Sequence, residues 1–61
     1  MEWITNNGIV PKATIVHIEL NMDEPDYPGI PCRRFNIDPK DWDWTSSKTY
    51  PYAIRQYLIV E

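Results

Sequence analysis

The clearest alternation of apolar and polar positions lies between Thr14 and Leu20. In an extended chain Val16, Ile18 and Leu20 point to one side, and the residues between them point to the other. The segment is also rich in β-branched residues, which favour strands. The pattern therefore predicts a first strand over residues 13–20 with one apolar face.

Two later segments have extended patterns. Residues 32–37 alternate with Phe35 and Ile37 on one face and Cys32 on the other, which predicts a second strand. The apolar stretch at residues 55–60 predicts a third strand, and its two apolar faces place it either centrally in the sheet or against another chain. Because the strand could pair with another chain, we predict a homodimer.

The segment between the first two strands, residues 21–31, contains three prolines and one glycine. Proline cannot donate to a strand ladder, so we expect a loop here, acidic at Asp23, Glu24 and Asp26. A parallel pairing would need a longer crossover, so we expect the two flanking strands to be antiparallel.

After the second strand, Asp38 and Pro39 form the start signal of a helical turn near residues 38–41, with the carboxylate as N-cap. The following Asp41-Trp42-Asp43-Trp44 alternates acid and aromatic. In an extended chain this alternation sends both indoles to one face and both carboxylates to the other.

These elements predict a mainly-β fold, a single domain over residues 1–61 with a small three-stranded antiparallel sheet. Residues 1–4 form a further short strand or an arm. No helix is long enough to cover the sheet, so we expect at least one of Trp42 and Trp44 to be core and Trp3 to close one end. The other expected core residues are Val16, Ile18, Leu20, Phe35, Tyr57 and Ile59.

Composition narrows the class of protein. The chain has 61 residues, 43% of them hydrophobic, and eight aromatics, which is typical of a small globular domain. One cysteine and one histidine allow neither an intrachain disulfide nor a zinc site of the usual kind. We see no secretion leader and no long apolar run, so we expect a cytoplasmic protein without a membrane span.

The order of several short motifs resembles a group of small phage and prophage proteins. The matching residues are Trp3, Asn7-Gly8, Pro11, the strand Val16 to Leu20, the Asp-Trp pairs at 41–44, and Ile54, Tyr57 and Ile59-Val60. The chain departs from the group's pattern between Asp23 and Pro31, where a proline-rich loop replaces a tighter turn. The resemblance implies a phage-encoded cytoplasmic β-domain and supplies no catalytic residues.

The sequence gives only weak indications of a catalytic site or a metal-binding site. Cys32 and His17 could act as nucleophile and base if their strands pair side by side, but nothing orients the imidazole. Asp38, Asp41 and Asp43 lack the glycine and final glutamate of a calcium loop. We therefore expect no catalytic residue, no metal and no cofactor.

Two binding functions remain open. A nucleic-acid-binding accessory domain would use Arg33, Arg34, Lys48 and Arg55 with stacking from Tyr50 and Tyr52. However, the net charge of −3 and the opposite faces of adjacent arginines oppose it. We expect Arg34 to pair instead with Glu19 or with the acidic loop.

The favoured hypothesis is a non-enzymatic protein-binding module, which would be a modulator or inhibitor of a host protein if the chain is phage-encoded. Aromatic residues inside a polar rim are typical of protein-binding hot spots. The predicted partner-binding residues are Asp38, Asp41, Trp42, Asp43, Trp44, Tyr50 and Tyr52. A self-associating structural domain is the third alternative.

Overall fold

The computed structural model describes residues 2–61 and contains four strands and one 3₁₀ turn. The strands are β1 (Ile4–Thr5), β2 (Val16–Glu24), β3 (Tyr27–Ile37) and β4 (Ile54–Ile59). They form one antiparallel sheet in the order β1-β4-β2-β3. The predicted mainly-β antiparallel fold is confirmed, with the two-residue β1 added to the three predicted strands.

The sequence left two placements open for residues 1–4 and for the C-terminal strand. Of residues 1–4, Ile4 joins the strand β1, whereas Met1 lies outside the described residues. The C-terminal strand β4 lies between β1 and β2, so the first of its two predicted placements, inside the sheet, is the observed one. Among residues 2–61 no helix is long and apolar enough to cross a membrane.

The predicted loop over residues 21–31 is wrong. Strand β2 continues to Glu24 and β3 begins at Tyr27, so only Pro25 and Asp26 lie between the strands. The ladder accommodates the prolines because its register shifts on both sides of the Asp23–Pro31 pair. Gly29, with φ of 92°, donates its N–H to the Asp23 carboxylate at 3.0 Å.

One face of the sheet carries the hydrophobic core. Its buried members are Val16, Ile18, Leu20, Cys32, Trp44, Ile54 and Tyr57, with Ala13, Met22, Ile37 and Trp42 packed against them. The apolar face predicted for the first strand is therefore confirmed. Cys32 is buried as a small apolar residue, and this burial raises the pKa of its thiol.

Phe35 does not belong to the core, contrary to the prediction. Its side chain is 59% exposed and lies edge-to-face with His17 on the second face, at 4.9 Å between ring centroids. The cause is a β-bulge: Asn36 has φ of 55°, and the pairs Val16–Ile37 and Ile18–Arg34 leave one extra residue in β3. Ile37 is thereby returned to the core face.

Two other predicted core residues also lie elsewhere. Ile59 is exposed because it occupies the last position of β4, where the sheet ends. Trp3 does not close an end of the core; its ring lies 4.8 Å from the guanidinium carbon of Arg33. This distance is typical of a cation–π contact.

The predicted helical turn is confirmed as the 3₁₀ helix Pro39–Asp41. The Asp38 side chain caps it by accepting a hydrogen bond from the Lys40 N–H at 2.9 Å. Trp42 then leaves the turn in an extended conformation, so the backbone carries Trp44 back to the sheet.

Trp44 is the large aromatic that covers the core. Its side chain is 1% exposed and packs edge-to-face on Tyr57 at 5.3 Å between ring centroids. The indole N–H donates to the carbonyl of the buried Pro39 at 2.7 Å, so no polar atom of the ring is left unpaired. The prediction that at least one of the two indoles is core is confirmed.

We expect Trp44→Phe to lower the free energy of unfolding by about 1–3 kcal/mol, because the Pro39 carbonyl loses its donor and the ring becomes smaller. Trp44→Ala should cost about 3–5 kcal/mol, a large part of the stability of a domain this small. Urea denaturation followed by far-UV circular dichroism measures both. The same change at the half-buried Trp42, Trp42→Phe, is the matched control, and an equal loss there would contradict the assignment.

Candidate functional site

All seven predicted partner-binding residues lie on the connection between β3 and β4, residues 38–53. Three residues of this connection are buried, namely Pro39, Trp44 and Ala53. The connection is therefore a lid with one side in the core and one side in solvent. Loops held on a rigid scaffold in this way commonly carry binding residues.

The two indoles of the lid differ in how deeply they are buried. Trp44 belongs to the core, so its predicted role in partner contact is not supported by its position. Trp42 is half-buried, packing part of its ring against the core and leaving the rest in solvent. We use "lid surface" for the exposed part of Trp42 together with the exposed residues Asp38, Asp41, Asp43, Tyr50 and Tyr52.

Two of the three carboxylates on the lid surface also hold the backbone of the lid. Asp38 caps the 3₁₀ turn, as described above. Asp43 accepts three hydrogen bonds, from the Thr45 N–H at 2.9 Å, the Thr45 hydroxyl at 2.8 Å and the Ser46 hydroxyl at 2.7 Å. These donors, first of all the Ser46 hydroxyl, lower the pKa of Asp43. The charge of Asp43 is thus fixed in place.

Tyr50 and Tyr52 form the most exposed aromatic pair that the lid presents. Their side chains are 50% and 59% exposed, and their rings lie 5.6 Å apart between centroids at an angle of 60°. A turn closed by the Ala53 N–H and the Tyr50 carbonyl, at 3.0 Å, holds the backbone between them. The Asn21 side chain donates to the same carbonyl at 3.1 Å, so the pair is tied to β2.

The second face of the sheet contains a polar cluster that the sequence analysis missed. Glu19, on the central part of β2, is only 4% exposed. Its carboxylate accepts hydrogen bonds from Arg33 Nε at 2.9 Å and Gln56 Nε2 at 2.8 Å, and it forms an ion pair with Arg55 Nε at 3.1 Å. Three strands therefore meet at one carboxylate.

A second β-bulge makes this cluster geometrically feasible. Glu19 pairs with Gln56 but the next residue, Leu20, pairs with Ile54, so Arg55 is the extra residue of β4. A bulge lets two neighbouring side chains reach the same partner, here Arg55 and Gln56 at Glu19. In a regular strand these neighbours would point to opposite faces. No sequence pattern marked the bulge.

The predicted pairing of Arg34 is refined by the structure. Arg34 binds Glu24, one of the acidic residues of the predicted loop, with Nη1 and Oε1 3.0 Å apart. Glu19 forms an ion pair with the neighbouring residue, Arg33, instead. The two arginines point to opposite faces, so they form no common basic patch.

The residues considered for catalysis, Cys32 and His17, do not lie together in the structure. Cys32 lies in the core, whereas His17 lies on the second face, where its Nδ1 accepts a hydrogen bond from the Asn36 N–H at 3.1 Å. In the part of the chain that the structure describes, no three His, Cys, Asp or Glu side chains are grouped to hold a metal ion.

Comparisons of the chain with protein-family models, with curated proteins and with solved structures give no significant match.

We expect Glu19→Gln to lower the free energy of unfolding by about 1–3 kcal/mol, because two guanidinium groups lose a buried anionic acceptor. Glu24→Gln in the same strand is the matched control. It breaks the exposed pair with Arg34 and should cost about 0–1 kcal/mol. Equal losses in urea denaturation would show that the Glu19 cluster is no stronger than a surface ion pair.

The hydrogen bonds to Asp43 make a prediction about pH. Because its pKa is lowered in the folded state, Asp43 contributes to stability above the ordinary pKa of an aspartate, and this contribution is lost as the pH falls through the lowered value. Carboxyl-detected NMR titration should give Asp43 a midpoint below 3.8. Ser46→Ala should raise that midpoint towards 3.8. An unchanged Asp43 midpoint would contradict the hydrogen-bond explanation.

Proposed function

We propose that this chain is a non-enzymatic protein-binding module whose partner contacts the lid surface. The observation that carries the proposal is the Tyr50–Tyr52 pair, two exposed aromatic side chains held edge-to-face by a hydrogen-bonded turn. Tyrosine is enriched among the residues that dominate protein–protein binding energy. A pair that is already ordered loses less conformational entropy on binding.

The charge of the lid supports a partner with a basic surface. Asp38, Asp41 and Asp43 are exposed, and two of them are fixed by hydrogen bonds to the lid backbone. Fixed carboxylates of one sign raise the rate at which an oppositely charged partner associates and select against acidic partners. In an inhibitor these carboxylates would occupy the positions of nucleic-acid phosphates on a basic host enzyme.

The setting we propose is the cytoplasm of a bacterial host, with the chain encoded by a phage or prophage and modulating a host protein. The support for this setting is the resemblance of the motifs from Trp3 to Val60 to small phage and prophage proteins. The proposal for the lid surface does not depend on it.

Nucleic-acid binding is a weaker alternative because most of the cationic residues considered for it already form ion pairs. Of the four cationic residues considered for it, Arg33 and Arg55 bind Glu19, and Arg34 binds Glu24. Cations that already neutralise carboxylates release fewer counterions from a phosphate backbone. Lys48 alone of the four makes no ion pair with any of residues 2–61.

Self-association is the third alternative, and its support from the apolar C-terminal strand is removed. The apolar strand β4 finds neighbours on both sides within its own chain, so it needs no second copy to pair with. Analytical ultracentrifugation at high micromolar concentration distinguishes monomer from dimer directly.

The decisive experiment compares partner capture by three forms of the chain from a bacterial lysate, followed by an affinity measurement with the purified partner. We expect Tyr50→Ala combined with Tyr52→Ala to weaken binding by at least about 30-fold, the effect of losing one hot spot. Tyr27→Ala, which removes an equally exposed tyrosine from the β2–β3 hairpin, is the matched control and should bind normally.

Two outcomes would contradict the proposal. One is equal capture by the double variant and the wild type, which would remove the tyrosine pair from the interface. The other is a mobility shift of single-stranded nucleic acid at low salt that depends on Lys48, with no protein captured. Circular dichroism of each variant confirms that the fold is retained.

A further inference from the structure

A cleft lies beside the N-terminal end of β4, and neither tyrosine of the pair on which the proposed function rests lines it. It encloses about 660 Å³ between the turn that follows β1 and the lid segment around Ser46. Clefts of about 300–1,000 Å³ are of the size that holds small organic ligands. Trp44 and Ile54 are among its lining residues, although both are almost fully buried.

The cleft is a built feature of the fold, because one side chain clamps its walls together. The Asn6 amide donates to the carbonyl of Trp44 at 3.1 Å and to that of Ile54 at 2.9 Å. Its oxygen accepts the Gly8 N–H at 2.9 Å, which shapes the turn on the opposite wall. Asn6 therefore joins β1, the lid and β4, and the cleft exists before any ligand binds.

The charge of the cleft is opposite to that of the whole chain. The protein has a net charge of −3, yet no acidic residue lines the cleft and two cations, Lys48 and Arg55, do. Asp43 binds the hydroxyls of Thr45 and Ser46 behind one wall but does not line the cleft. The residues that line the cleft therefore carry two cationic groups and no carboxylate.

Both cations have capacity for an anionic ligand. Lys48 is exposed and makes no ion pair with any of residues 2–61. Arg55 shares Glu19 with Arg33, so one carboxylate faces two guanidinium groups and the cluster keeps one excess positive charge. Arg55 uses Nε for Glu19 and Nη2 for the Leu20 carbonyl, and Nη1 has no hydrogen-bond partner in the described chain.

We propose that this cleft binds the anionic group of a small organic ligand, a carboxylate or phosphate, at Lys48 and Arg55. The carboxylate of a peptide C-terminus and a free small-molecule anion share this chemistry. The cleft would give the protein a ligand-binding site separate from the tyrosine pair.

The test is a ¹H–¹⁵N correlation NMR titration of the full chain with phenylacetate and with its neutral analogue phenylacetamide. We expect phenylacetate to give saturable shifts at the amides of residues 6–8 and 45–48. Phenylacetamide should bind about tenfold more weakly, because it lacks the charge that the cations recognise. Phenyl phosphate and inorganic phosphate, run in parallel, test the anionic group with and without an apolar part.

Lys48→Gln tests the assignment without disturbing Asn6 or the Glu19 cluster. It should weaken phenylacetate binding about tenfold, the effect of one lost charge-assisted hydrogen bond. Lys40→Gln is the matched control, since it removes the same charge from the lid outside the cleft. Its effect should be less than about twofold, as expected for a distant, screened charge.

The source of the anion is identified with a short apolar peptide carrying either a free or an amidated C-terminus. Tighter binding of the free-acid peptide than of phenylacetate assigns the site to chain termini, and the reverse order assigns it to free small molecules. Either result requires the amidated peptide to bind weakly. The proposal is overturned if phenylacetamide binds as tightly as phenylacetate, if Lys40→Gln weakens binding as much as Lys48→Gln, or if no probe gives saturable shifts at the cleft.

Discussion

The structure depends on covering one apolar sheet face without a helix. A sheet this small has little apolar surface to bury, so its core is stable only if a large side chain closes it. Trp44 supplies that side chain, and its hydrogen bond to the Pro39 carbonyl fixes where the lid crosses the sheet. Tyr50 and Tyr52 are placed by further contacts, the turn that ends at Ala53 and the Asn21 side chain that holds the Tyr50 carbonyl.

The two faces of the sheet are stabilised by different kinds of interaction. The core face relies on apolar burial, whereas the second face holds its strands through the single carboxylate of Glu19. A nearly buried carboxylate is costly to desolvate, and its cost is offset only when several donors reach it in good geometry. The β-bulge at Arg55 provides that geometry. The same bulge leaves Arg55 beside the cleft, so a structural cluster and a candidate binding site share one guanidinium group.

Local patterns in the sequence were sufficient for the main elements but not for their irregularities. The alternation around Val16 and the cap at Asp38 were read correctly, because each depends on neighbouring residues alone. The prediction for Phe35 is wrong because the bulge at Asn36 puts Phe35 and Ile37 on opposite faces, whereas a regular strand would keep them on one face. Prolines were read as excluding a ladder, whereas the shifted register of β2 and β3 accommodates them. The Glu19 cluster and the cleft depend on contacts between distant strands, which no local pattern encodes.

The irregular path of β3 has a consequence for how the protein behaves at high concentration. β3 is an edge strand of eleven residues, long enough to template the addition of further strands from other molecules. Pro28 and Pro31 remove backbone donors from it, and the positive φ angles of Gly29 and Asn36 bend it out of a flat line. Such features are the means by which natural sheets resist edge-to-edge aggregation. The prolines and Gly29, which led the sequence to predict a loop, therefore make β3 a poor template for edge-to-edge pairing.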